Sequence, residues 1–121
     1  MVKALFDTNI LIDYLSGIAA AKKELERFPD KAISLITWME VMVGANHETE
    51  SVLRGFLNDF ICLPIDNIIG EAAVALRRNY KIKLPDAIVW ATAQQHNRIL
   101  VTRDIKDFGA NEPGILMPYS I

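Results

Sequence analysis

Short apolar runs alternate with longer stretches of helical spacing along this chain. Val2 to Phe6 and Lys31 to Leu35 predict strands. Ile61-Cys62-Leu63-Pro64 predicts a shorter one, near an edge because its proline cannot donate to a ladder. Arg98 to Thr102 and Ile115 to Met117 predict two more. Between them lie helical patterns: Asn9 to Leu15, stopped by Ser16-Gly17; Ala19 to Phe28, rich in Ala, Lys, Glu and Leu and ended near Pro29; Thr37 toward Ala45; and Glu48 to Phe60. A long helix capped by Asp66 or Asn67 runs to about Tyr80. The next opens at Pro85, whose fixed φ suits a first turn, and closes at Asn97.

Strands alternating with helices predict an α/β fold with a parallel sheet covered on both faces. The strands are short and apolar throughout, as fits burial on two sides. In such sheets the reactive site lies outside the carboxyl ends of the strands.

Composition refines this picture only slightly. A chain of 121 residues, 51% hydrophobic, is one domain's worth with enough apolar mass for a solid core. Cys62 is the sole cysteine, so no disulfide forms within the chain, and a reducing cytosol is expected. Flanked by apolar residues, Cys62 is expected in the core. The first residues meet Asp7 too soon for an apolar leader, and no run approaches the ~18 apolar residues of a membrane span. A soluble cytoplasmic protein is expected. The net charge of −2 argues weakly against a nucleic-acid binder, but acids gathered around a metal would mask a basic surface in that sum. Trp38 and Trp90, on helices with apolar neighbours, are assigned to packing or a subunit interface, and His47 and His96 to no chemistry.

The acids change the picture more. Asp7 follows the first strand, Glu40 lies a few residues past the second, Asp86 opens a helix with Pro85, and Asp104 and Asp107 follow the fourth strand. Each has a structural alternative. Asp7 caps a helix, Thr37-Trp38-Met39-Glu40 fits a capping box, Asp86 is favoured in a first turn by the helix dipole, and Asp104 and Asp107 serve as loop residues. Capping does not explain why all of them fall at one end of one sheet. Carboxylates brought together repel, and a hard divalent cation such as Mg²⁺ or Mn²⁺ relieves that repulsion with oxygen ligands.

Four blocks, in order, resemble the PIN-domain family, and in particular the VapC-type toxins of toxin–antitoxin pairs. They are Phe6-Asp7-Thr8-Asn9-Ile10-Leu11-Ile12-Asp13, Thr37-Trp38-Met39-Glu40-Val41, Leu84-Pro85-Asp86-Ala87-Ile88-Val89-Trp90-Ala91-Thr92-Ala93 and Leu100-Val101-Thr102-Arg103-Asp104-Ile105-Lys106-Asp107-Phe108. The resemblance implies a single PIN domain over residues 1–121, folded as a three-layer α/β/α sandwich with a central parallel sheet. It implies Asp7, Glu40, Asp86 and Asp104 as the family's acids, with Asp107 a further candidate, and Asn9 and Thr102 as polar residues lining the pocket. Thr102 has the alternative role of ending its strand.

The chemistry implied is hydrolysis of an RNA phosphodiester by water activated at Mg²⁺ or Mn²⁺. Asp7, Asp86 and Asp104 would hold the ion, with Glu40 a direct or water-mediated ligand. The products would carry 5′-phosphate and 3′-hydroxyl ends. Arg77, Arg78, Lys81 and Lys83 lead into Asp86, and Arg103 adjoins Asp104; these are candidate RNA contacts, giving salt-sensitive grip without sequence choice. A solvated helix face explains Arg77 and Arg78 equally well. The resemblance also implies a homodimer and a cognate antitoxin. Two rivals stand beside it: a non-catalytic PIN-type module that binds RNA or protein, and a metal-dependent phosphatase. Asn9 stands where a haloacid-dehalogenase-type phosphatase would carry a second aspartate.

Overall fold

A computed structural model describes residues 2–104, 106, 108 and 112–121 of the chain. The elements run β1 (Ala4–Phe6), α1 (Thr8–Leu15), α2 (Ala19–Arg27), β2 (Lys31–Ser34), α3 (Leu35–Val43), α4 (Glu50–Leu57), β3 (Ile61–Leu63), α5 (Asn67–Tyr80), α6 (Leu84–Gln95), β4 (Ile99–Val101) and β5 (Ile115–Leu116). The five strands pair in the order β3-β2-β1-β4-β5, every pair parallel. Parallel neighbours need crossovers, and the helices between them provide these on both faces.

Side-chain alternation along the strands divides the interior in two. Ala4, Phe6, Ile33 and Val101 face one way and pack with Ile10, Leu11, Leu25, Phe28, Val41, Leu57 and Phe60, from the α1–α4 side. Leu5 and Leu100 face the other way and pack with Ile69, Ala73, Ile82, Ala87, Val89, Trp90 and Phe108, from the α5–α6 side. The result is the expected three-layer α/β/α sandwich. Phe6 meets Phe28 and Phe60 edge-on at 5.8 and 6.3 Å. On the far side Trp90 meets Phe108 at 5.7 Å and Tyr80 at 4.8 Å, so its ring is a core element. Trp38 is half-buried beneath the Arg54 guanidinium, 5.4 Å from its ring centre.

Three local expectations are corrected. The helix carrying Glu40 begins at Leu35, two residues before the expected start, because the Ser34 hydroxyl caps it by accepting the Ile36 N–H at 3.2 Å. There is therefore no capping box from Thr37 to Glu40: Thr37 is buried inside the first turn, and Glu40 falls in the second. Cys62 is exposed rather than in the core, because β3 is the sheet's edge and its first two residues are open to solvent. The helix expected over residues 48–60 is shorter, because Asn46 folds the preceding turn by accepting the Glu48 and Thr49 N–H groups at 2.9 Å. Of the two candidate caps for α5, Asp66 does the work, accepting the Ile69 N–H at 2.9 Å. Among the described residues no helix is long and apolar enough to cross a membrane.

Candidate active site

Because every strand runs the same way, the residues that follow β1, β2 and β4 emerge along one edge of the sheet. Asp7 continues β1 by one residue, its N–H donating to Val101 O at 2.9 Å, before the chain turns into α1. It caps that helix, with Oδ1 accepting the Thr8 N–H at 2.7 Å. Its other oxygen is turned inward, accepting the Thr102 hydroxyl at 2.8 Å and the Asn9 amide at 3.5 Å. Capping and site geometry are thus served by separate oxygens of one carboxylate.

Thr102, fully buried just past β4, is the hub of this edge. Its single proton goes to Asp7. Its oxygen accepts the Asn9 Nδ2 amide at 3.2 Å and the Asp104 N–H at 3.1 Å, which uses the full capacity of a hydroxyl. Asn9 returns the link by accepting the Arg103 N–H on Oδ1 at 3.1 Å. From α3, Glu40 reaches the same edge, its Oε1 accepting the Thr8 hydroxyl at 2.7 Å. That hydroxyl also lies 3.1 Å from the Thr37 hydroxyl, which donates to it once its own proton is given to the carboxylate.

These groups open onto one cleft of about 340 Å³, lined by Asp7, Thr8, Asn9, Ile12, Glu40, Asp86, Arg103 and Asp104. All four acids read from the sequence as a set therefore share one cavity, with Asp86 supplied by the first turn of α6. Asp107 lies outside the described residues. Burial pushes the Asp7 carboxyl up to about 6, the bonds from Thr102 and Thr8 pull it partly back, and the charges of Glu40 and Asp104 add to the rise. An ionised Asp7 is thus held where water screens it little, beside two more acids. Among the described residues, no three His, Cys, Asp or Glu side chains already stand in an arrangement that holds a metal ion. The donor set nevertheless suits a hard cation: oxygen only, anionic, and strained by its own repulsion.

The basic residues divide. Arg77 donates to Ile82 O at 2.8 Å, fastening the α5–α6 turn, whose Lys81 is left-handed at φ 57°. Arg77, Arg78 and Lys81 line a separate open cavity with Val74 and Leu84. Lys83 is exposed at the N-cap of α6, three residues before Asp86, and does not line the acidic cleft. Arg103 does line it, yet its guanidinium is engaged elsewhere: Nε and Nη2 donate to the two oxygens of Asp13 at 2.7 and 3.1 Å. Tyr119 adds its hydroxyl to the same carboxylate at 2.8 Å. Burial and then this bond push the Tyr119 hydroxyl well above the usual phenol range, so it remains a donor. His47 and His96 stand in solvent, His96 as the C-cap of α6.

Sequence reasoning did not single out Thr8, Asp13 or Tyr119. The signal for Asp13 was its place four residues after Asn9 on an apolar helix, which puts both on one face. No local signal marks Tyr119.

The match to the PIN domain family model spans residues 4–110. A solved toxin–antitoxin complex from Klebsiella pneumoniae contains a chain 55% identical to this one, with a TM-score of 0.93 over 98% of this chain and all of that one. FitAcB from Neisseria gonorrhoeae is similar at 26% identity and a TM-score of 0.81, covering 95% of this chain and 97% of that one. VapBC2 from Rickettsia felis, solved with a promoter DNA fragment, shares the fold at 21% identity and a TM-score of 0.80, covering 100% and 99% of the two chains. No curated protein matches the sequence. The family match, the parallel sandwich and the acids at its carboxyl edge agree: this chain belongs to the PIN-domain family.

Proposed function

We propose that the protein is a metal-dependent endoribonuclease and the toxin of a toxin–antitoxin pair. The observation that carries the reading is the convergence of Asp7, Glu40, Asp86 and Asp104 on one cleft, with Asp7 buried against the charges of two of the others. Asp7, Asp86 and Asp104 would hold Mg²⁺ or Mn²⁺, with Glu40 a direct or water-mediated ligand and Asp107 a further candidate. When bound, the ion supplies a Lewis acid and makes water a usable nucleophile near neutral pH.

The chain's own groups prepare that site. Thr102 and Asn9 hold one Asp7 oxygen, the Thr8 N–H holds the other, and the Thr8 hydroxyl orients Glu40. Water as nucleophile needs no ribose 2′-hydroxyl attack, and with the 3′ oxygen as leaving group, as the family resemblance implies, the products carry 5′-phosphate and 3′-hydroxyl ends. Arg78, Lys81 and Lys83 are candidates to meet the RNA backbone beyond the cleft. Arg103 contributes charge while its fork stays on Asp13.

The likeness to a chain of a toxin–antitoxin complex supports an antitoxin partner for this protein. So does exposed apolar surface on the two helices that supply Thr8, Asn9 and Glu40: Ile12 and Leu15 on α1, and Met39 and Val43 on α3, the last 85% exposed. A homodimer is part of the same proposal. The alternative reading is a non-catalytic module binding RNA or protein.

The test is cleavage of labelled RNA in Mg²⁺, in Mn²⁺ and in EDTA, with wild type and Asp86→Asn. Metal-dependent cutting lost in the folded variant supports the nuclease. A folded wild type that neither cuts RNA nor binds a divalent ion supports the binding module instead.

A further inference from the structure

The acidic cleft is lined by Asp104, and residues 102–104 belong to no helix or strand. Thr102 accepts the Asp104 N–H at 3.1 Å, and α1 fastens the neighbouring Arg103. Asn9 accepts the Arg103 N–H, and Asp13, one turn further along the same helix face, accepts the Arg103 guanidinium on both oxygens. Two points of attachment on one rigid helix fix both the backbone and the side chain of the residue next to Asp104. A planar fork on a carboxylate sets direction as well as distance, which a lysine or a single hydrogen bond would not do.

The third member comes from the far end of the described chain. The Tyr119 hydroxyl donates to Asp13 Oδ2, the oxygen that also takes Arg103 Nε. The Asp13 side chain is only 8% exposed and lines no part of the cleft, so it meets neither ion nor substrate there. Any effect it has on the acids must pass through Arg103.

We propose that Asp13 is a positioning residue, which fixes the Arg103–Asp104 segment through the Arg103 guanidinium, with Tyr119 completing the clasp, and so sets where the Asp104 carboxylate meets the cleft. Its consequence for metal binding rests on the proposed function; its consequence for the segment does not.

The test uses the full chain labelled with ¹⁵N and compares wild type, Asp13→Asn, Tyr119→Phe and Asp30→Asn. Asp30 is the control because its carboxylate pairs with Arg98 at 2.8 Å, away from the cleft, so its loss weakens the fold without touching the clasp. Amide exchange is followed in EDTA, and Mn²⁺ affinity by calorimetric titration. In Asp13→Asn the Arg103 and Asp104 amides exchange at least about tenfold faster, beyond any change in the strands, and Mn²⁺ binds about 10- to 100-fold more weakly, the range found when a ligand's supporting partner is lost. Tyr119→Phe moves the same amides by less, and Asp30→Asn gives no acceleration at these amides beyond any change in the strands and leaves Mn²⁺ affinity as in wild type. Equal exchange at these amides in Asp13→Asn and wild type, or a uniform rise along the whole chain, overturns the proposal. Should Asp13→Asn fail to fold, Tyr119→Phe decides alone: no local acceleration there sinks the idea. A wild type that binds no Mn²⁺ while the amides still respond refutes the nuclease reading and leaves the clasp standing.

Discussion

The two ends of the sheet treat the same residue type in opposite ways. At the amino end, Asp30 accepts Arg98 Nη1 at 2.8 Å and has Lys3 at 4.0 Å, and the Arg98 bond holds its carboxyl below the usual range. Arg98 also donates to Ala4 O at 3.1 Å, so the pair ties the β1 and β4 entries together. At the carboxyl end, Asp7 is buried with hydroxyl and amide donors and, among the described residues, no basic side chain on its oxygens, and its carboxyl is pushed up to about 6. One end is arranged to stabilise the fold. The other keeps a charge the fold would rather not hold, as the metal site proposed above would require.

The largest expected break of this contrast is catalytic. Asp86→Asn should lower kcat/KM for RNA by at least about 1,000-fold, about 4 kcal/mol of transition-state stabilisation, while the circular dichroism spectrum is unchanged.

Next comes the pH dependence of stability. Asp7 is near 3.8 when unfolded and about 6 when folded, so the native state binds the extra proton between those values. In EDTA, stability from this group is therefore greatest at low pH and falls as pH rises through 4 to 6, by about 3 kcal/mol at about 1.4 kcal/mol for each tenfold change. Asp7→Asn should remove that slope and raise the neutral-pH melting temperature in EDTA. Urea titrations at pH 4, 5, 6 and 7 show whether it does.

Mn²⁺ sharpens the contrast from the other side. At about 100 times its dissociation constant it should stabilise wild type by about 2.7 kcal/mol and Asp7→Asn by much less, measured as a shift in the thermal midpoint. The smallest effect is expected at the amino end. The Asp30 carboxyl is lowered on folding, so its contribution is present above the ordinary carboxylate range and is lost as pH falls through the folded value. Asp30→Asn should lower the neutral-pH melting temperature modestly, not at all at low pH, and leave cleavage untouched.

Much of this was legible because it is local or periodic. Apolar runs placed the strands, the rule of carboxyl ends gathered Asp7, Glu40, Asp104 and Asp107, and the family resemblance singled out Asp7, Glu40, Asp86 and Asp104 as the set. What failed was competition between local solutions. Ser34 and Thr37 both offer a cap, and the hydroxyl ending β2 wins, which frees Glu40 for the cleft. Cys62 failed because an apolar run does not say whether its strand lies inside a sheet or at its rim. Arg103 was read by its neighbour Asp104, whereas its partner Asp13 is 90 residues away and Tyr119 lies 106 residues from that same carboxylate. No window along the chain contains such pairs.

The three residues of β1 carry one more implication. Leu5 faces one core, Ala4 and Phe6 face the other, and Asp7 follows immediately. Removing one residue here, with the start of the strand held in place, would send the side chains after the gap to the wrong layer and draw Asp7 back by about 3.3 Å, off the rim of the sheet. Substitutions within β1 have only volume to satisfy, but its length is fixed by two interiors and a reactive edge at once, so insertions and deletions there should be among the least tolerated in the chain.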